Sequence, residues 1–256
     1  MVTMSRARAV ALATAVTLVA LLTGCAGGAG GTAPLAGATG APAVTDASGA
    51  LPDLDLHGTG VRVAAVGDSL TAGGGRMLSD GLDANTWMTY ARGDGLDYVG
   101  GWAKGGSTVE EQAAAVTPVE DVDVLVLMSG TNDVRLGVPF EQAAPSYDAV
   151  VGTIGAAHVV VAAIPPYDRD PAAAARYGAQ LEAYVVRRGW TYVDPWAWLR
   201  DGVLFAPGTT RDGIHPTTAG YERLGLALRE AALAVAGRSG TGNDGTDGTA
   251  GTDGTV

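Results

Sequence analysis

The chain is poor in the residues that usually build covalently or metal-held folds. Of its 256 residues only Cys25 is a cysteine, so no disulfide can close within it. Histidine occurs three times, at His57, His158 and His215, with no His-Glu-x-x-His pattern and no paired cysteines. A catalytic metal is therefore not indicated, and no cofactor is expected. Basic side chains are also scarce, 16 Lys and Arg against 27 Asp and Glu, for a net charge of −11. That balance argues against a nucleic-acid partner, whose phosphates need a positive field. It disfavours a polyanionic substrate and tolerates a neutral one. Long apolar runs are missing too: the N-terminal stretch 9–22 falls short of the roughly 20 residues that span a membrane. What remains, with 47% hydrophobic and 17% charged residues, suffices for one α/β core.

The first residues read as an address. Arg6 and Arg8 form a basic region, 9–22 an apolar one, and Leu22-Thr23-Gly24-Cys25 a small-residue cleavage site ahead of a cysteine. The arrangement resembles a bacterial lipoprotein signal. It implies removal of 1–24, lipid on Cys25, and an exported protein anchored to the outer face of the cytoplasmic membrane. Removal of Arg6 and Arg8 leaves 14 basic and 27 acidic side chains, a net −13. Residues 25–59 are mostly Gly, Ala, Pro, Thr and Ser, a composition that buries too little surface to offset ordering, so a disordered tether is expected. The Gly-, Thr- and Asp-rich 238–256 is expected to be a disordered tail, its spacing fitting no calcium loop. One domain, 60–237, lies between.

Within that domain, Val-rich runs at 61–66, 122–128 and 159–164 read as buried parallel strands, with weaker candidates at 96–99 and 191–193. Helices are expected at about 84–91, 109–116, 140–154, 171–188 and 218–236. In the last, Tyr221, Leu224, Leu228, Ala232 and Val235 fall on one face. Strand–helix alternation of this kind predicts a parallel sheet covered on both faces, with its site at the carboxyl ends of the strands.

Three motifs fall at such ends or beside them: Gly67-Asp68-Ser69-Leu70, Gly130-Thr131-Asn132-Asp133 and Asp212-Gly213-Ile214-His215-Pro216. Ser69 follows the first strand directly, where a nucleophile belongs, although Asp-Ser there is also an ordinary helix cap. No Gly-x-Ser-x-Gly elbow surrounds it. His57 lies in the tether and His158 opens a strand, which leaves His215 as the base. Asp212, three residues before it, is spaced to reach Nδ1 while Nε2 faces the serine. Asp194 and Asp133 are the reserve partners. Asn132 offers a side-chain amide after the strongest strand, or else a turn-forming Asn-Asp pair.

These blocks resemble the SGNH hydrolases, also called GDSL esterases and lipases, over about 61–236. The resemblance implies a three-layer α/β/α sandwich with a mostly parallel five-stranded sheet, flavodoxin-like. It also implies an oxyanion site formed by the Ser69 N–H, a glycine N–H after the second strand and the Asn132 amide. In Lys104-Gly105-Gly106-Ser107-Thr108 the family's glycine aligns with Gly106, with Gly105 in reserve; the asparagine often seen just upstream is absent. The activity implied is that of a serine esterase cleaving carboxylic esters, short acyl or acetyl, on a small molecule or an envelope glycan. Three alternatives stay open: a glycan O-acyltransferase or deacetylase using the same residues, a non-catalytic envelope-binding lipoprotein, and a lipase, ranked lower because no long apolar insertion could form a lid. Trp87, Trp102, Trp190, Trp196 and Trp198 are expected in the core, with Trp102 also placed to line a substrate pocket. Oligomeric state is left open.

Overall fold

The computed structural model describes residues 60–240. The expected signal, the tether with Cys25 and His57, and the tail beyond 240 lie outside the described residues. Five parallel strands form one sheet: β1 (Val61–Gly67), β2 (Leu96–Ala103), β3 (Val124–Met128), β4 (His158–Ala162) and β5 (Thr191–Val193), in the order β2-β1-β3-β4-β5. β3 is central and buried at every position. Because side chains alternate along a strand, Val124, Val126 and Met128 enter one core layer while Leu125 and Leu127 enter the other. Both faces are apolar because both are covered.

One layer holds α1 (Ser69–Ala72), α2 (Met88–Ala91) and the long terminal helix α7 (Thr218–Gly240). The periodic face expected of α7 is buried: Tyr221, Leu224, Leu228, Ala232 and Val235 are each at most 5% exposed. Each large apolar side chain so buried stabilises by about 1.5 to 3 kcal/mol. Gly225 lets α7 approach α2, since a Cβ there would lie 2.4 Å from the Trp87 carbonyl oxygen. The opposite layer holds α3 (Val109–Ala115), α5 (Phe140–Ile154) and α6 (Pro171–Arg187), with the short α4 (Thr131–Leu136) at the end of β3. This is the α/β/α sandwich expected. Among the described residues no helix is long and apolar enough to cross a membrane.

Several boundaries differ from the sequence reading. β2 runs on to Ala103, because the register slips one residue between Val63 and Ala64 and the bulge carries the strand past Gly100 and Gly101. Gly101 has φ +128°, and a Cβ on it would sit 2.0 Å from the Ala65 oxygen, so the two glycines that resemble a strand break are what let it continue. The helix expected over 84–91 is confined to Met88–Ala91, because Asp83 bonds the N–H of Asn85 and holds a turn. β3 starts later than expected, after a turn in which Asp121 takes φ +53°. β4 ends at Ala162, ahead of Pro165 and Pro166. A small hairpin, β6 (Arg200–Asp201) with β7 (Leu204–Phe205), went unread.

Trp87 and Trp196 are fully buried, as expected. Trp102, Trp190 and Trp198 are partly buried at the margins of the core. Trp102 packs on the α3–α5 side.

Candidate active site

Every residue singled out after a strand lands on the carboxyl edge of the sheet. Gly67 ends β1 where a Cβ would meet Thr71 Oγ1 at 2.3 Å, so only glycine permits the sharp entry into α1. Asp68 caps that helix, its carboxylate accepting the Leu70 N–H at 3.0 Å. Ser69 is thereby set at the first position of α1, half-buried. Its Oγ lies 2.9 Å from His215 Nε2, although 146 residues separate the two.

The histidine is held by its own loop. Asp212 Oδ1 accepts the N–H groups of Ile214 at 3.0 Å and His215 at 2.8 Å, while Oδ2 meets His215 Nδ1 at 2.8 Å. Thr210 Oγ1 donates to the His215 carbonyl at 2.8 Å and accepts the Gly213 N–H at 2.9 Å. Partial burial pushes the Asp212 carboxyl up, but the His215 backbone N–H, the imidazole and the Ile214 N–H outweigh it and hold its pKa below the ordinary value. The reserve partners are engaged elsewhere. Asp194 pairs with Arg200, and Asp133 accepts the Val109 N–H at 3.2 Å. His158, at the amino end of β4, belongs to the opposite edge of the sheet.

The two glycines after β2 separate clearly. The Gly105 N–H donates to the Arg76 carbonyl at 2.8 Å, whereas those of Gly106 and Ser69 find no acceptor among the described residues. Gly106 takes φ +82°, open to solvent on its Cα side. Asn132 is 6% exposed. Its Oδ1 accepts from Arg135 Nε at 2.9 Å, which fixes the amide's orientation, and its Nδ2 faces the Ser107 carbonyl at 3.1 Å and Asp68 Oδ2 at 3.3 Å.

Two acids are buried beneath this edge. Burial raises the Asp68 carboxyl to about 6, against the Leu70 N–H and the His215 charge, with Asp133 adding to the rise. Burial likewise raises Asp133 to about 6, against the Val109 N–H. A carboxyl raised from 3.8 binds its proton more tightly folded than unfolded, so its contribution is most favourable below about pH 4 and is lost as pH rises through about 6. A displacement of that size corresponds to roughly 3 kcal/mol. Asp68, Arg135, Thr210 and Arg76 were not read from the sequence as parts of the site. Only the place of Asp68 beside the serine could have marked it.

A family model described as GDSL-like lipase/acylhydrolase matches residues 65–223. No curated protein matches the chain. Among solved structures, the chain is similar to a protein assigned to the lipolytic G-D-S-L family from Desulfitobacterium hafniense, at 19% identity and TM-score 0.54 over 66% of this chain and 98% of that one. It is also similar to a carbohydrate acetylesterase family member from Sinorhizobium meliloti, at 15% identity and TM-score 0.51 over 69% and 99%. An extracellular lipase from Streptomyces rimosus aligns at 18% identity and TM-score 0.51 over 69% and 99%. At such identities the likeness is one of fold.

Proposed function

The chain belongs to the GDSL-like lipase/acylhydrolase family of hydrolytic enzymes, and from that premise we propose that it cleaves short acyl or acetyl esters through an acyl-enzyme on Ser69. The observation that carries the reading is the continuous contact Ser69–His215–Asp212, at 2.9 and 2.8 Å. In the proposed reaction His215 Nε2 takes the Ser69 Oγ proton as Oγ attacks the ester carbonyl, and Asp212 holds the imidazolium. The developing oxyanion is met by the Ser69 and Gly106 N–H groups, neither with an acceptor among the described residues, and by the Asn132 amide, one of whose two hydrogens turns from the Asp68 carboxylate 3.3 Å away to reach it. His215 then protonates the leaving alcohol, and a water activated by the same imidazole releases the acid. The Gly105 N–H, committed to Arg76, is the poorer candidate.

A short acyl group suits the setting. Ser69 and His215 are partly exposed, and Gly105 and Gly106 are exposed. The 270 Å³ cleft walled by Ile164, Pro165, Ala174 and Arg200 is lined by residues other than Ser69 and His215. The similarity to a carbohydrate acetylesterase family member adds acetylated glycans to the substrates worth testing. Against p-nitrophenyl esters of increasing length, turnover is expected to be highest for acetate to butyrate, with fluorophosphonate labelling mapped to Ser69 by mass spectrometry. A preference for chains beyond about eight carbons would overturn the short-acyl reading.

We further propose anchoring through lipid on Cys25, supported by the basic, apolar and Leu22-Thr23-Gly24-Cys25 sequence ahead of it. Expressed in a bacterial host, the full chain should incorporate an alkyne fatty acid and pellet with membranes, and Cys25→Ser should abolish incorporation. Equal incorporation in both would sink the idea.

A further inference from the structure

Of the two proposed oxyanion donors outside the serine, Gly106 sits on the loop after β2 and Asn132 in the first turn of the short α4 that follows β3, and a loop alone does not hold atoms to the tolerance an oxyanion site needs. A buried side chain joins them. Gln112, on α3 and wholly inaccessible to solvent, accepts the Ser129 hydroxyl at Oε1 (2.5 Å) and donates from Nε2 to Ser107 Oγ (3.3 Å). Ser107 Oγ in turn donates to the Lys104 carbonyl at 2.9 Å. Each hydroxyl hydrogen in this chain has one acceptor, so the order of donation runs one way, from Ser129 through Gln112 and Ser107 to Lys104. Ser107 directly follows Gly106, and its carbonyl receives the Asn132 amide. Ser129 lies three residues before Asn132. The far side of the glycine loop is pinned by the Gly105–Arg76 bond.

We propose that Gln112 is a positioning residue for the oxyanion site, bracing the Gly106 loop against the turn that leads into α4 and Asn132, through Ser107 and Ser129. The proposal rests on the esterase reading above and deepens it. A side chain that merely satisfied buried polar groups would affect stability and leave the transition state alone. One that sets the spacing of the two donors acts on kcat, and acts less once a donor is gone.

The test is a double-mutant cycle on p-nitrophenyl acetate hydrolysis. Gln112→Met, similar in shape but with no donor and only a weakly accepting sulfur, is expected to lower kcat about 10- to 100-fold with KM unchanged, short of the roughly 10² to 10³ that a lost donor costs. In an Asn132→Ala background the same substitution should cost about threefold or less. Equal fold-losses in the two backgrounds, or a change confined to KM, would overturn the proposal. Should Gln112→Met fail to fold, Ser107→Ala enters the same cycle: it removes the Oγ link and keeps the carbonyl that receives Asn132, and the same non-additivity is required of it. Additivity would leave the Ser69 assignment intact, because labelling and loss of turnover at Ser69 are measured separately. A fully active Ser69→Ala protein would remove the premise instead.

Discussion

Ser69→Ala and His215→Ala each lower kcat for p-nitrophenyl acetate by at least about 10⁴-fold, and the double variant is no worse than either, because nucleophile and base act as one unit. The hydroxyl of Ser69 has a base in contact, His215 Nε2 at 2.9 Å. Among the described residues no second histidine can replace it: His158 opens β4 at the amino edge of a sheet whose strands are all parallel. Activity remaining in the variants would come from the oxyanion donors and substrate binding, which neither substitution removes. The fold should survive, since among the described residues the only side-chain bond made by Ser69 Oγ is the one to His215 and the turn into α1 is held by Asp68. Thermal unfolding therefore serves as the control, with midpoints expected close to that of the unaltered protein. Wild-type turnover by a folded Ser69→Ala protein would end the assignment.

How far the sequence discloses this site depends on the range of the contacts that make it. The central strands and α7 are legible because burial on both faces of a sheet, or along one face of a helix, leaves an unmistakable apolar pattern in the residues themselves. The Asp212–His215 pair is legible for the same reason, its geometry being set by three residues of local chain. The extension of β2 through Gly100 and Gly101 is not, since glycine pairs ordinarily punctuate, and only the neighbouring Ala65 oxygen explains their presence. Nor could Gly106 be separated from Gly105, because what commits the Gly105 N–H is a carbonyl on Arg76, in a loop that folds back from elsewhere in the chain. The Gln112 link is invisible for a related reason: on α3 it reads as the last of three polar residues, Glu110, Glu111 and Gln112, in a helix capped by Thr108. Contacts between distant loops carry no periodicity, and they are what assemble the donors.

Asp212→Asn should lower kcat by about 10² to 10⁴-fold while leaving the loop folded. The amide oxygen can keep the two backbone bonds that Asp212 Oδ1 accepts from Ile214 and His215, so the turn survives. The group facing His215 Nδ1 then becomes a donor. The imidazole must answer by accepting at Nδ1, which places its hydrogen on Nε2, the nitrogen 2.9 Å from Ser69 Oγ. A nitrogen that carries a hydrogen cannot take the serine's proton, and the imidazolium that forms during attack loses its carboxylate. Solvent moderates the second effect, because the Asp212 side chain is 45% exposed, which is why the lower part of the range is included. The stability consequence has a definite sign. The pKa of Asp212 is held below its unfolded value, so its ionised form favours the folded state above about pH 4, and that contribution disappears as pH falls through the lowered pKa. The wild-type and Asn variants should thus differ slightly in unfolding temperature at neutral pH and converge in acid. Rates of ester turnover and of fluorophosphonate labelling, taken with that pH series, check both halves. An Asp212→Asn protein within about twofold of wild type in both rates would show that the carboxylate does not orient the base.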